Sequence, residues 1–239
     1  MFNSKRASSG YNGNIFNLDN KFQIHRQLPP LMVGYDTETT GLDTQNEEPI
    51  SYGLVVYRNG IQTGDKENYL VNARRRSAPE AEEVHGWSTN KLGDSYRGEI
   101  TIGKKDGRPY RPAIDPTNGM NLMARRLANL QKQGAVFVTA NGPKFDLDML
   151  HHLHRNLNHG IVPLKSSGFD PNKARVVDVI AHDRLMVPKS IDPRSRSLTA
   201  LSNHYGVDPG NHAAFDDARA TVDVFIKQIE DNKKNGRGV

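Results

Sequence analysis

The most informative hydrophobic pattern in the chain is an uncharged run that ends in two acidic residues. Residues 31–35 carry no charge, and such a run predicts a buried strand. Because side chains alternate between the two faces of a strand, Asp36 and Glu38 lie on the same face at its end. Two neighbouring carboxylates repel each other, and hard oxygen ligands suit magnesium or manganese. The pattern therefore predicts a cation site at the end of this strand.

The next segments predict an antiparallel meander. Residues 50–56 alternate between the two faces well enough for a second strand, and residues around 69–71 supply a third. Asn59 and Gly60 lie between these segments, and an Asn-Gly pair is typical of a tight hairpin turn. The first three strands are therefore expected to be joined in sequence order.

Helical periodicity begins further along the chain. Leucines at helical spacing over residues 121–133 predict a helix that ends at Gly134, and residues 135–140 predict a short buried strand. A crossover helix that leads into a strand favours a parallel addition to the sheet. Three further elements are expected: a helix with Leu147, Leu150, Leu153 and Leu157 on one face, a strand at Val176 and Val177, and a last helix with Ala218, Val222, Phe225 and Ile229 on its apolar side. The predicted fold is an α/β fold, with a mixed sheet flanked by helices.

The length and amino-acid composition limit the classes of protein to which the chain can belong. At 239 residues the chain has room for one well-cored domain with extensions. It has no cysteine, which excludes disulfides, thiolate zinc sites and cysteine nucleophiles. No segment has the pattern of a signal peptide or a membrane span, so we expect a cytoplasmic protein with no membrane partner. The formal net charge of +5 favours a polyanionic partner, and nucleic acid fits best.

Changes in local composition along the chain predict its domain organisation. Residues 1–30 are rich in Asn, Ser and Gly and are expected to form a loosely ordered arm. Residues 31–232 form the predicted catalytic domain, followed by a short tail at 233–239. Residues 93–119 are an insertion with basic and aromatic side chains, which is the composition of a platform for single-stranded nucleic acid. Within it, Lys104, Lys105, Arg108 and Arg111 are candidate nucleic-acid contacts; a solvated loop or a partner surface is the alternative.

Three more residues carry candidate chemistry. Asp146 follows the Asn141-Gly-Pro segment at the start of a helix, so its carboxylate is expected at the same end of the sheet as Asp36. His212 lies five residues before Asp217, across the start of the last helix. That spacing suits a metal ligand preceded by a general base, because an unperturbed imidazole has a pKa near about 6.5.

At these residues the sequence resembles the DEDDh exonucleases, the family that includes the proofreading subunit of bacterial DNA polymerase III. The first family motif resembles residues 36–42, the second residues 141–146, and the third residues 212–218. The likeness extends over about residues 31–229. It implies an RNase H-like fold with a five-stranded mixed sheet. It also implies metal-dependent 3′→5′ hydrolysis that releases nucleoside 5′-monophosphates.

The resemblance assigns a role to each matched residue. Asp36 is the ligand shared by two divalent ions, Mg²⁺ or Mn²⁺. Glu38 and Asp217 are ligands of the ion on the nucleophile side, Asp146 serves the second ion, and His212 is the general base. The implied partners are the 3′ ends of single-stranded DNA or RNA, with DNA favoured, and a polymerase or other replication partner. A role in DNA replication or repair follows from the same likeness.

The resemblance also points to residues that contact the terminal nucleotide. Gly41 allows a close backbone approach and Leu42 wedges against a base. A further segment, residues 79–88, resembles a family segment, although its Trp87 is more readily explained by packing. The full set of implied substrate contacts is Thr39, Gly41, Leu42, His85, Asn141 and Phe145.

Other functions remain open on sequence alone. An exoribonuclease of the same fold differs only in its substrate. A nucleic-acid-binding module that has lost its chemistry would not need the intact carboxylates and His212. An aspartyl phosphatase is suggested by Asp36, Glu38 and Thr40, since such enzymes place a second acid two residues after the nucleophile. The phosphatase also needs a lysine, and it leaves His212 without a role.

Overall fold

The computed structural model describes residues 27–98, 101–104, 107, 109–155 and 167–237. Most of the expected N-terminal arm, the end of the C-terminal tail and Leu157 lie outside the described residues. So do Lys105 and Arg108 of the basic insertion.

A five-stranded mixed sheet organises the fold, with strand order β3-β2-β1-β6-β7. Its strands are β1 (Leu31–Thr39), β2 (Pro49–Arg58), β3 (Ile61–Leu70), β6 (Val136–Thr139) and β7 (Arg175–Asp178), and the pair β4 (Thr101–Ile102) and β5 (Pro109–Tyr110) forms a separate hairpin. The first three strands are antiparallel, whereas β6 and β7 add in parallel. The predicted meander and the predicted parallel addition are both confirmed.

Seven helices belong to the described residues: α1 (Pro79–His85), α2 (Thr89–Tyr96), α3 (Pro116–Lys132), α4 (Asp146–Arg155), α5 (Val179–Met186), α6 (Leu198–Tyr205) and α7 (Ala214–Lys234). Helix α3 begins five residues before the predicted start. The reason is a cap: Asp115 accepts hydrogen bonds from the backbone N–H groups of Thr117 and Asn118, and Pro116 occupies the first turn. Leucine spacing alone does not detect such a cap. In the described residues, none of the helices has both the length and the apolar character needed to span a membrane.

The turn between β2 and β3 agrees with the sequence pattern. Asn59 and Gly60 have φ values of 51° and 79°. Positive φ at both central residues is the requirement of a type I′ turn, which matches the twist of the two strands. The strand β3 that follows is longer than predicted. Most of its residues are polar, so they lack the apolar alternation from which a strand is predicted.

Two apolar layers cover the sheet, and they determine which side chains reach the site. On one face, Val33 and Tyr35 pack with helices α3 and α4. On the other face, Met32 packs with helix α7. Alternation along β1 therefore directs the even-numbered residues toward α7. Asp36 and Glu38 continue this even-numbered series beyond the apolar layer.

The insertion builds a small third core beside the sheet. Trp87 and Tyr110 are both buried, with ring centroids 5.0 Å apart in an edge-to-face arrangement. The hairpin of β4 and β5 is held to α2 by the Lys91 ammonium, which donates to the Ile102 carbonyl at 3.1 Å. The expectation that Trp87 packs within the protein is confirmed.

Candidate active site

Three carboxylates meet at the end of β1. Asp36 and Glu38 come from β1 and Asp217 from the first turn of α7, and each offers one oxygen within 4.8 Å of the other two. We call this group the three-carboxylate cluster. Among the described residues, no Lys or Arg side chain forms an ion pair with any of its members.

Two glycines allow α7 to bring Asp217 to the strand. Gly34 lies two residues before Asp36 on the same face, and Gly53 is the partner of Asp36 on β2. A Cβ atom at Gly34 would overlap the Ala218 carbonyl, and one at Gly53 would overlap the Ala214 carbonyl. The helix backbone thus lies directly on the two strands. No local sequence pattern distinguishes these two glycines from others in the chain.

The loop before α7 wraps around the Asp217 carboxylate. Gly210 lies so close that a Cβ atom there would overlap Asp217 Oδ1, and the His212 backbone N–H donates to the same carboxylate. Asn211 and His212 both have φ of 58°, in the left-handed region that side chains other than glycine rarely adopt. The side chain of His212 is exposed. Strained backbone of this kind concentrates at functional sites.

Asp146 lies next to the cluster but is held separately. It is buried, and its Oδ1 accepts hydrogen bonds from the Thr37 backbone N–H at 3.0 Å and from Thr37 Oγ1 at 2.7 Å. Thr37 lies between Asp36 and Glu38 on the opposite face of β1, facing the head of α4. Asp146 is at the predicted end of the sheet. Its role as a metal ligand stays a prediction, and its partner Thr37 was missed by the sequence analysis.

Burial is the main cause that raises the pKa of all four carboxyl groups, and repulsion from neighbouring carboxylates adds to it. Burial is the main cause for Asp36, whose pKa lies well above its usual value, with added repulsion from Asp146, Asp217 and Glu38. Burial likewise raises the pKa of Glu38 to about 8. The pKa of Asp146 rises to about 7, although its hydrogen bonds from Thr37 oppose the change, and the pKa of Asp217 also rises to about 7. Nearby positive charge would favour the ionised forms.

An apolar pocket opens beside the cluster. Its volume is about 430 Å³, and its walls come from the end of β1, the loop that follows it, and α1. The pocket brings together Thr39, Gly41, Leu42, His85 and Phe145 of the expected substrate contacts. The Leu42 side chain is 88% exposed, which leaves it available to a ligand. We call this cavity the terminal pocket.

Two of the expected contacts differ from the others. His85 lines the terminal pocket but is buried, and its Nδ1 accepts a hydrogen bond from the Trp87 backbone N–H at 3.0 Å. Asn141 does not line this pocket and instead borders a second cavity, together with Lys144 and Asp178. Its backbone N–H donates to Asp178 at 3.2 Å. The structure thus separates Asn141 from the other five.

Only part of the basic insertion belongs to the described residues. Lys104 packs against Gly86, next to His85 of the terminal pocket. Arg111 borders a separate open groove of about 830 Å³, together with Lys66 and Phe215. The described strands of the insertion, β4 and β5, form an antiparallel pair.

Comparison with solved structures defines the class of fold. The chain has the fold of exonuclease I: it matches the enzyme of Methylocaldum szegediense with a TM-score of 0.60 and 19% identity over 86% of this chain and 41% of that one. The E. coli enzyme in complex with a dT13 oligonucleotide matches with a TM-score of 0.61 and 14% identity, over 87% of this chain and 42% of the other. At this identity the similarity establishes the fold. The predicted RNase H-like, five-stranded α/β architecture is thus confirmed.

The chain is also similar in sequence to a bacterial DNA polymerase. The chain is 26% identical over 211 residues to the PolC-type DNA polymerase III of Ureaplasma parvum serovar 3. The alignment covers 87% of this chain but 12% of the polymerase, and the chain spans about two fifths of exonuclease I. No family model matches the sequence.

Proposed function

We propose that the chain is a metal-dependent 3′→5′ exonuclease that hydrolyses single-stranded DNA to nucleoside 5′-monophosphates. The observation that carries the proposal is the three-carboxylate cluster, partly buried and with no Lys or Arg ion pair among the described residues, at the mouth of an apolar pocket of nucleotide-binding size. The fold of exonuclease I and the similarity to a polymerase III support it. DNA is favoured over RNA because the exonuclease I neighbours include complexes with DNA oligonucleotides.

The carboxylates fit divalent cations. They are buried acids with raised pKa values, and carboxylate oxygen is a preferred ligand of Mg²⁺ and Mn²⁺. Asp36, Glu38 and Asp217 would hold one ion, and Asp146 with Asp36 a second. When bound, such ions supply positive charge that stabilises the attacking and leaving oxygens of the phosphodiester. A zinc-bound form of the E. coli exonuclease I complex with DNA is also known.

The protein side chains would provide position and proton transfer. The terminal pocket would receive the last nucleotide, with Leu42 against one face of the base and Phe145 on the opposite wall. Gly41 and Thr39 would lie along its sugar, and His85 would shape the pocket through its bond to Trp87. His212, exposed at the approach to Asp217, would accept the proton of the attacking water.

Two wider assignments are also proposals. The described insertion residues Lys104 and Arg111 are candidate contacts to nucleic acid, and Lys105 and Arg108, which lie outside the described residues, are candidates on the sequence alone. A polymerase or other replication partner, and a role in DNA replication or repair, are consistent with the likeness to a polymerase III. The aspartyl phosphatase is not favoured, because no described lysine forms an ion pair with Asp36 or Glu38.

Product analysis tests the proposed activity directly. Single-stranded DNA and RNA, each labelled at the 3′ or the 5′ end, are incubated with the protein and Mg²⁺. We expect labelled mononucleotide from the 3′-labelled DNA at the earliest times, and a ladder of shortened strands from the 5′-labelled DNA. Release of inorganic phosphate or of internal fragments would contradict the proposal.

His212→Gln is expected to lower kcat by roughly 10²–10⁴-fold, the usual contribution of a general base, with little change in strand binding. At saturating Mg²⁺, kcat of the wild type should rise with pH as the imidazole loses its proton, and this limb should disappear in the variant. The measurement is the pH profile of single-turnover cleavage. His204→Gln, an exposed histidine in α6, is the matched control. Normal cleavage by His212→Gln at neutral pH would remove His212 from the mechanism.

The raised pKa values predict a pH-dependent effect of metal on stability. Unfolded carboxyl groups ionise near about pH 4. The folded protein retains protons on Glu38, Asp146 and Asp217 up to about pH 7 or 8. Because the folded state binds more protons in this window, stability in chelator should fall as the pH rises from about 4 to about 8.

Cations compete with those protons, so the rise in melting temperature on adding Mg²⁺ or Mn²⁺ should be larger at pH 8 than at pH 5. Thermal melts with chelator or metal across this range measure both effects. A Glu38→Gln variant serves as the comparison and should show a smaller metal effect. A metal effect independent of pH would argue against the carboxylates as the ligands.

A further inference from the structure

The loop before α4 borders a second cavity as well as the terminal pocket. This second cavity has a volume of about 640 Å³, and its other walls come from α5 and the segment 189–197. Five of its twelve bordering residues are Lys or Arg, and Asp178 is the one acidic member. We call it the basic cavity. The terminal pocket, in contrast, has no Lys or Arg in its walls.

Two of the five cations have structural partners. Arg196 is buried, and its Nε donates to Asp183 Oδ2 at 2.7 Å. Arg194 Nη2 donates to Asp183 Oδ1 at 2.9 Å, and Tyr205 Oη donates to the same oxygen at 2.8 Å. The buried carboxylate of Asp183 therefore fixes the segment that forms one wall. This arrangement accounts for Arg194 and Arg196 without any ligand.

The other three cations have no such explanation. Lys144, Arg184 and Lys189 are exposed, and within the described part of the chain none of them forms an ion pair. Lys144 precedes α4, whereas Arg184 and Lys189 lie about forty residues later, in the last turn of α5 and just beyond it, yet all three border the same cavity. Three like charges around one concave surface raise the local concentration of anions. A solvated helix face does not explain the convergence of separate segments.

The position of the basic cavity relative to the site suggests its ligand. Residues 141–145 run between the two cavities: Phe145 borders the terminal pocket, whereas Asn141 and Lys144 border the basic cavity. Asp146, next to Phe145, lies at the three-carboxylate cluster. A strand whose last base occupies the terminal pocket places its scissile phosphate at the carboxylates. The phosphates on the 5′ side of the scissile bond then extend past the carboxylates, where a cationic surface would balance their charge.

We propose that the basic cavity binds the phosphates of the retained strand, on the 5′ side of the scissile bond, through Lys144, Arg184 and Lys189. The inference rests on the proposed exonuclease function for the direction of the strand. It adds a site for the polyanionic backbone, distinct from the pocket for the terminal base. Binding there is independent of base identity, because only phosphate charge is recognised.

The test is binding of single-stranded DNA by Lys144→Gln/Arg184→Gln/Lys189→Gln, in an Asp217→Ala background that prevents cleavage. Fluorescence anisotropy with a thymidine decamer at several salt concentrations gives the affinity and its salt dependence. The negative slope of log K against log salt should become shallower by about 2, since each of the three phosphate contacts on a single strand contributes about 0.7 to its magnitude. The matched control is Lys227→Gln/Lys233→Gln/Lys234→Gln, which removes the same charge from the far half of α7. It should leave the slope unchanged.

The position along the strand is tested with neutral methylphosphonate linkages. Neutral linkages at the second to fourth positions from the 3′ end should weaken binding to the Asp217→Ala protein about tenfold or more. The same replacement should have almost no effect on the triple variant in that background. Equal losses in both proteins, or a slope change as large in the α7 control, would overturn the proposal. If this coupling is found but the wild type releases no mononucleotides, the strand site stands and the proposed exonuclease function fails.

Discussion

Asp36→Asn is expected to lower 3′→5′ cleavage roughly a thousandfold or more while the protein remains folded. The charges of Asp146, Asp217 and Glu38 all act on Asp36, and under the proposed function Asp36 would be the ligand shared by both ions. Loss of its charge removes stabilisation from the reacting phosphate, and the loss of even one such electrostatic contact typically costs about 10²–10³-fold. Single-turnover cleavage of 3′-labelled DNA measures the effect.

Thermal melts separate this loss of activity from a loss of structure. Because Asn removes one of the repelling charges, the melting temperature in chelator should be unchanged or higher at neutral pH. The stabilisation by Mg²⁺ should largely disappear. Asp216→Asn is the matched control: it makes the same change beside Asp217, in a residue that lies near Arg219 and outside the cluster. Full activity in Asp36→Asn, or cleavage in excess chelator, would be incompatible with a metal-dependent mechanism.

Gly53→Ala is expected to reduce the stability and the activity together. The added Cβ would overlap the backbone of Ala214 and Phe215, which cannot move aside as a flexible side chain can. Overpacking of this kind costs about 1–3 kcal/mol and sometimes more. In a protein of this length, each kcal/mol lowers the melting temperature by about 2–4 °C. Helix α7 must shift outward, and Asp217 shifts with it, so the affinity for Mg²⁺ should fall even where the protein is folded.

Gly64→Ala provides the control for Gly53→Ala. Gly64 lies on β3, and a Cβ atom there would meet nothing within 4 Å. The melting temperature and the metal affinity should remain close to those of the wild type. Calorimetry and metal titration by thermal shift, carried out on both variants, compare the two glycines. If Gly53→Ala melts like Gly64→Ala, the close contact between α7 and the sheet does not position Asp217.

The sequence predicted those features that depend on local order along the chain. Alternation along residues 31–38 was sufficient to place Asp36 and Glu38 on one face, because the period of a strand is two. The Asn59-Gly60 pair was sufficient to predict the turn, because the required φ values are local. The spacing between His212 and Asp217 likewise placed the acid in the first turn of the last helix. Each of these inferences needed only a few neighbouring residues.

The remaining features depend on contacts between distant segments. Thr37 appeared only as the residue between two acids, and its hydrogen bonds to Asp146 arise from the approach of α4 to the opposite face of β1. Gly34 and Gly53 have no special local pattern, and their importance follows from the contact with α7. The basic cavity joins Lys144 to residues about forty positions later. Such pairings cannot be read from the periodicity of a single sequence.

The contact between α7 and β1 also has a consequence during synthesis of the protein. Chains are made from the N-terminus, and their early segments begin to fold first. A nascent chain can therefore pair β1 with β2 and later with β6 before Asp217 has been made. Until α7 packs on Gly34 and Gly53, the three-carboxylate cluster is incomplete and one face of the sheet is uncovered. The proposed metal binding and nuclease activity would thus be acquired late, and ribosome-bound intermediates that lack α7 would have neither.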